Sequence, residues 1–323
     1  VSATLLSVRV ARKWAETAQI CGLELVDAYG AALPAFSAGA HIDVYPPSGP
    51  VRQYSLCNDP AETHRYEIGV LRDAASRGGS AALHDRVAEG QLLTISTPRN
   101  HFPLDEAASH SLLLAGGIGV TPLLCMAERL ARLGASFELH HCVRNADSAA
   151  YRARRAAAPY GQRTHLHCDD GAPAQRLQID VLLARVPAGT HLYVCGPQGF
   201  MDALLGAARR AQWPEERLHC EYFSAAPVAL PASGERSFEV QIASTGQVLQ
   251  VPADRSVLHV LARAGIDIEV SCEQGVCGTC LTRVLDGTPD HRDMMLSKAE
   301  RAANDQFLPC CSRSLSARLV LDL

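Results

Sequence analysis

Apolar and polar positions in the first hundred residues alternate over short runs that end in turn residues, as in "GAHIDVYPP", "QYSLCND" and "HRYEIGVLRD". A period of two over a few residues marks a half-buried strand, and few stretches here are long enough for an amphipathic helix. The pattern predicts a small antiparallel β-barrel over residues 1–105. From about Ser111 the period changes. "SLLLAGG" is an apolar run ending in glycines, "TPLLCMAERLARLG" repeats at helical spacing, and "SFELHHCVR" returns to strand. The alternation continues through "HLYVCGP" and "GFMDALLGAARRAQ". Strands alternating with crossover helices predict an α/β domain with a parallel sheet over 106–226.

The stretch "SAAPVALPASGERS", 224–237, is rich in Ala, Pro and Ser and has no period, so it reads as a linker centred on 227–236. Beyond it, "FEVQIAS" and "QVLQVPA" predict a hairpin and "SVLHVLARAG" a helix, an α+β arrangement over 237–323. Three domains suit the length of 323 residues, and 47% hydrophobic with 20% charged residues is enough to give each a core.

The net charge of -4 leaves no electrostatic footprint for nucleic acid or an anionic membrane. No apolar run approaches a membrane span, and "VSATLLSVRVARKWAE" lacks the features of a secretory signal, so a cytoplasmic protein is expected. Twelve cysteines in a reducing compartment are not a disulfide framework. Cys21, Cys57, Cys125, Cys142, Cys168 and Cys220 are scattered and read as small buried hydrophobes. The others include a cluster. In "SCEQGVCGTC", Cys272, Cys277 and Cys280 form C-x4-C-x2-C, and Cys310 follows the third after 29 intervening residues. This is the plant-type spacing for a [2Fe-2S] cluster held by four thiolates. Gly275 and Gly278 suit a loop wound tightly about such a group, where positive φ is needed and amides turn toward the sulfurs. Tetrahedral zinc is the competing reading, although its thiols usually come as two short pairs. Spacing favours Cys310 over its neighbour Cys311 as the fourth ligand.

With "SCEQGVCGTCLTRVLDGTPDHRD", "PCCSR" and the ending "RLVLDL", the last segment resembles the ferredoxin domain of the phthalate dioxygenase reductase family, which includes vanillate demethylase reductases. That resemblance implies the domain order flavin, nicotinamide, ferredoxin, with a β-grasp-like last domain, and covers the whole chain. "RQYSLCND" resembles the R-x-Y-S signature of ferredoxin-NADP-reductase-like flavin domains. By that likeness Arg52 pairs with the flavin phosphate, and Gln53, Tyr54 and Ser55 lie along the isoalloxazine, with the Ser55 hydroxyl near N5. In "SRGGSAALHD", Gly78, Gly79 and Ser80 would cap the terminal phosphate, which points to FMN rather than FAD. Val70, Leu71 and Arg72 would flank the ribityl chain.

For the nicotinamide, "LLLAGGIGVTP" supplies Gly116, Gly117, Gly119, Thr121 and Pro122 under the pyrophosphate, and "YVCGPQGFM" supplies Cys195, Gly196 and Pro197, with Cys195 beside the ring. Phe223 in "HCEYFSA" matches the aromatic that covers the flavin. Arg144 is a candidate phosphate or ribose contact, an exposed loop arginine being the simpler reading. Asp169 and Asp170 would repel a 2'-phosphate, so NADH is expected over NADPH. Ser55, Cys195 and Phe223 are thus the catalytic candidates. The resemblance implies a monomeric, NADH-dependent reductase that feeds electrons through FMN and a [2Fe-2S] cluster to a terminal Rieske oxygenase of aromatic catabolism. The alternative keeps the cofactors but serves another one-electron acceptor, such as a cytochrome. From Pro231 onward twelve acidic side chains face nine basic ones, a mild negative charge suited to a basic partner surface.

Overall fold

The computed structural model describes residues 4–73, 78–223 and 236–323. The chain divides into two compact units, the first ending at Phe223 and the second beginning at Ser224. The predicted linker, 227–236, lies outside the described residues except for Arg236.

The first unit opens with β1 (Leu5–Ala15), β2 (Ile20–Asp27), β3 (His41–Tyr45), β4 (Arg52–Ser55) and β5 (Tyr66–Leu71), then α1 (Gly79–Asp85) and β6 (Leu92–Ser96). These strands form one antiparallel sheet in the order β4-β3-β6-β1-β2-β5. A bridge between Leu56 and Ile68 brings its two ends together, so the sheet is a nearly closed barrel. The alternation in the sequence is used as expected. Val8, Val10, Leu23, Leu25, Ile42, Val44, Ile68, Val70, Leu93 and Ile95 all point into the barrel and are buried.

There follow β7 (His110–Gly116), α2 (Val120–Arg132), β8 (Phe137–Val143), α3 (Arg152–Ala157), β9 (Thr164–Cys168), α4 (Ile179–Arg185), β10 (Thr190–Cys195), α5 (Gln198–Arg210) and β11 (Leu218–Glu221). The five strands are parallel, in the order β11-β10-β7-β8-β9. The order reverses at β7, so a crevice opens between the carboxyl ends of β7 and β10, where ligands of such sheets sit. α5 and α4 cover one face through Met201, Leu204, Leu205, Leu182 and Leu183.

On the other face α2 packs against Leu113 and Leu139 of the sheet, and the same core takes in Ile20, Cys57 and Phe102 from the barrel side. The boundary at residue 105 therefore separates two sheets that share a core. Polar contacts reinforce this junction: Arg132 pairs with Asp59 (2.6 Å) and Arg154 with Glu67 (2.8 Å), while the Tyr151 amide donates to Glu16 Oε2 (2.7 Å).

The second unit contains β12 (Phe238–Ile242), β13 (Val248–Val251), α6 (Val257–Arg263), β14 (Thr282–Asp286), β15 (Pro289–Asp290), α7 (Lys298–Ala303), β16 (Gln306–Phe307), β17 (Arg313–Ser314) and β18 (Arg318–Leu321). Its main sheet runs β13-β12-β18-β14-β16, with β12 and β18 parallel, and β15 pairs with β17. Val257 and Leu261 of α6 pack on Val240, Ile242, Phe307, Leu319 and Leu321. A mixed sheet with a helix laid across one face is the expected grasp-like arrangement. The long connection from α6 to β14 carries the cysteine loop. Among the described residues no helix is long and apolar enough to cross a membrane.

Candidate functional site

In the cysteine loop three residues hold left-handed backbone: Glu273 (φ 56°), Gly275 (φ 75°) and Gly278 (φ 70°). The two glycines also face close neighbours. A Cβ on Gly275 would overlap Cys311 Sγ, and one on Gly278 would overlap the end of Met295. These turns bring amides to sulfur: Gln274 N–H donates to Cys272 Sγ (3.3 Å) and Thr279 N–H to Cys277 Sγ (3.4 Å), and the Thr279 hydroxyl is 3.2 Å from Cys277 Sγ. Cys272 is held down to about 6, first by a hydrogen bond from Cys277 and then by loop amides, against the opposing effect of burial. Cys310 is pushed up by Cys280 and Cys311 beside it and by burial. The loop thiols and the distant Cys310 and Cys311 are thus brought together, the kind of thiol donor set that a [2Fe-2S] cluster requires.

Cys311 differs. It is buried, and its Sγ turns to the Leu308 carbonyl (3.7 Å) and the Ser312 hydroxyl (3.8 Å), behind Gly275 and beside Asp293. Asp293, also buried, ties down the outer wall by accepting from the amides of Met295 (3.1 Å) and Leu296 (2.7 Å), while the Met294 amide donates to Gly275 O (2.9 Å). The donor set and its amide lining suit [2Fe-2S].

In the first unit the glycine positions are again close approaches. Gly49 (φ 89°) is seated on the backbone of Gly78 and Gly79, and a Cβ on Gly79 would strike the Arg52 side chain and Pro50 O. Arg52, Gly78 and Gly79 therefore lie together, with the buried Ser80 next in the chain. The Ser80 hydroxyl accepts from the Asp73 amide (3.4 Å). Along β5, Val70 points into the barrel and its carbonyl accepts from His84 Nε2 (2.9 Å), Leu71 is at the strand end, and Arg72 pairs with Asp85 across the start and end of this segment (2.5 Å).

The two turns chosen for the nucleotide also come together. A Cβ on Gly119 would overlap the Cys195 carbonyl, one on Gly196 would meet Gly116 Cα, and one on Gly116 would meet Pro197 and Phe200. Gly117 has φ 54°. Thr121 and Pro122 open α2 and are buried, with Thr121 Oγ1 donating to Ile118 O (3.1 Å) and its methyl against Gly69 of the barrel. Arg144 is exposed beyond β8, where its carbonyl accepts from the Asp170 amide (3.1 Å), so Arg144, Asp169 and Asp170 share the sheet's carboxyl edge. Phe223 is 40% exposed, at the last described position before the break.

Between these turns and the barrel lies a group that sequence reasoning missed. Ser55 Oγ donates to Glu221 Oε2 (3.1 Å), and Glu221 is paired in register with Cys195 on the neighbouring strand. Burial pushes the Glu221 carboxyl up to about 8, with the Ser55 hydrogen bond opposing, and burial with the adjacent Glu221 and Cys220 keeps Cys195 a neutral thiol. Gln53 Nε2 donates to His41 Nε2 (3.3 Å), which leaves the ring proton on Nδ1, directed at Glu221 Oε1 at 3.9 Å. Burial, with His101 and Arg99 nearby, lowers His41 to about 3, so the ring is neutral. A line of proton-bearing groups thus runs from Gln53 through His41 and Glu221 to Ser55. An acid inside "HCEYF" was the available signal, since a strand seldom buries a carboxyl without a use for it.

Residues 240–315 match the 2Fe-2S iron-sulfur cluster binding domain family, and residues 95–218 match the N-terminal domain of dimethylamine monooxygenase subunit DmmA-like proteins. A vanillate O-demethylase oxidoreductase from a Pseudomonas species is 55% identical over 304 residues, 94% of this chain and 95% of that protein. A solved phthalate dioxygenase reductase, described as a modular structure for electron transfer from pyridine nucleotides to [2Fe-2S], is 38% identical with TM-score 0.74 over 99% of this chain and 98% of that one. The chain belongs to the phthalate dioxygenase reductase family. This reductase also matches part of an intact type IV self-sufficient cytochrome P450 monooxygenase, at 39% identity and TM-score 0.89 over 99% of this chain and 41% of that one. The reductase thus has the predicted fold and order of parts, and the gathered thiols lie inside the segment that matches the iron-sulfur family.

Proposed function

We propose that this chain is the reductase component of an oxygenase system, taking electrons from NADH by way of FMN to a [2Fe-2S] cluster and on to a terminal oxygenase. The observation that carries this reading is the gathering of Cys272, Cys277, Cys280 and Cys310 about an amide-lined loop, inside the segment that matches the 2Fe-2S cluster binding family. A nicotinamide gives up two electrons together, the cluster accepts one, and bound FMN connects the two regimes.

The protein's part is to bind, orient and exclude water. Arg52, Gly78, Gly79 and Ser80 hold the flavin phosphate. Gly116, Gly117 and Gly119 let the nucleotide pyrophosphate approach backbone, and Gly196 and Pro197 close the other side, with Cys195 beside the ring. Ser55 offers a hydrogen bond at the flavin, and Glu221, protonated near neutral pH, keeps that hydroxyl in place and can return a proton to it. Phe223 covers the flavin until the nicotinamide enters. Asp169 and Asp170 disfavour a 2'-phosphate and so favour NADH.

A Rieske-type oxygenase acting on an aromatic compound is the favoured acceptor, because vanillate O-demethylase oxidoreductases and a phthalate dioxygenase reductase are among the relatives that match over nearly the whole of both chains, alongside the reductase subunit of a tert-butanol monooxygenase. The likeness to the self-sufficient P450 supports a second reading, a haem monooxygenase as acceptor. Iron, sulfide and flavin analysis of the purified protein, followed by stopped-flow mixing of the NADH-reduced protein with a Rieske oxygenase and with a P450, tests both. Two irons and one FMN per chain with fast reduction of the Rieske protein are expected. Zinc in place of iron, or a missing flavin, would overturn the reading.

A further inference from the structure

On the face of the parallel sheet covered by α4 and α5, away from the barrel, lie four groups that the electron-transfer site does not use. Glu138 and His140 point the same way from β8, and His165 and His167 stand beside them on β9, with His140 in register with His165. His140 is 2% exposed and its ring stacks on both His165 (4.6 Å between centroids) and His167 (5.2 Å). Its Nδ1 is 2.9 Å from His167 Nε2, and its Nε2 is 3.0 Å from Glu138 Oε2. His165 Nε2 stands 3.9 Å from that same oxygen.

Hydrogen-bond bookkeeping exposes a conflict. The Gln175 carbonyl, 3.2 Å from His167 Nδ1, can only accept, so His167 carries its proton there and presents a lone pair at Nε2. His140 must then donate from Nδ1, and as a neutral ring it turns its remaining lone pair toward the Glu138 carboxylate. Two acceptors face each other unless a cation lies between them. A metal ion takes both lone pairs at once, at the cost of the Arg185 bond to Glu138, and the ligand atoms of Glu138, His140 and His165 all lie within 4.8 Å of one another. Ligands ~2.0–2.1 Å from tetrahedral zinc stand roughly 3.3 Å from each other, between the two observed separations. The His167 to His140 hydrogen bond is the outer support that metal-bound imidazoles usually have.

We propose that Glu138, His140 and His165 form a binding site for a divalent first-row transition metal such as zinc, clipping β9, the edge strand of the parallel sheet, to β8. Two imidazoles and a carboxylate suit that class of ion better than calcium or magnesium. The fourth position faces solvent, since the His165 side chain is 40% exposed. Arg185, whose guanidinium donates to Glu138 Oε2 (2.7 Å) from a side chain 52% exposed, is the group the ion must displace.

The test is calorimetric titration of chelator-treated holoprotein, flavin and cluster intact, with Zn2+, alongside Glu138→Gln, His165→Ala and Arg185→Ala. The wild type should take up one equivalent that is lost in the first two variants. Arg185→Ala should bind more tightly, and His167→Gln should bind about 10–100-fold more weakly. Zinc should raise the melting temperature of the wild type but not of His165→Ala. NADH-dependent ferricyanide reduction, unchanged in the variants, reports that each is folded. No uptake by the wild type, or equal uptake by wild type and His165→Ala, would overturn the proposal.

Discussion

The cysteine loop and the end of β10 place the same side chain in opposite surroundings. Around Cys272, left-handed turns direct amides at sulfur and favour a thiolate, while Cys272 and burial push its neighbour Cys277 up. Cys195 lies at a strand end with no exposure, beside a buried carboxyl, and stays a thiol. The first arrangement holds a charged ligand. The second keeps a neutral, compact group at the carboxyl end of the strand, without a nucleophilic charge. What separates them is whether the local backbone supplies donors.

The most severe test of that contrast is within one dipeptide. Cys310→Ser should lose the cluster, with iron and sulfide falling to background and electron delivery to a one-electron acceptor abolished, whereas Cys311→Ser should keep both irons. Metal analysis and the visible spectrum decide it, and loss of iron in Cys311→Ser instead would exchange the two assignments. In the first unit, Ser55→Ala should slow flavin reduction by NADH on the order of 10²-fold, the scale of a positioned proton or hydrogen-bond donor. Iron content should not change. Cys195→Ser should fold and reduce flavin more slowly.

Glu221→Gln separates the two regions by pH. The native Glu221 keeps its proton to about 8 whereas the unfolded chain releases it near 4.5, so the folded state binds more protons across that window and stability falls as pH rises through it. The variant lacks this loss. Its melting temperature relative to wild type should therefore climb between pH 4.5 and 8, and the step in flavin-reduction rate near pH 8 should vanish. A constant difference would mean that Glu221 is ionised throughout. The smallest expected effect is Gly278→Ala. Its φ of 70° and the approach of Met295 should cost about 1–2 kcal/mol in the denaturation of the second unit.

These regions also differ in how far the sequence disclosed them. The thiols lie within one loop plus one distant position, so their spacing is written in the chain. The glycine turns at 78–79, 116–119 and 196 were visible for the same reason, each being a local backbone demand. The Ser55 and Glu221 pair spans 166 positions and exists only because β4 closes the barrel next to β11. No period or spacing encodes that meeting. His41 was hidden likewise, since a histidine on an apolar strand reads as core until its partners are known. The shared core escaped for another reason. "TPLLCMAERLARLG" reads as an ordinary amphipathic helix, yet α2 is buried almost throughout its first eight residues because two layers cover it.

That helix decides how the molecule can be taken apart. A fragment ending at residue 105 would leave Ile20, Cys57 and Phe102 without the Leu123, Leu124 and Met126 side chains that now cover them, an apolar scar prone to aggregate in expression. A designer wishing to exchange the electron-accepting end for another module should cut after Phe223 instead, at the boundary between the two compact units.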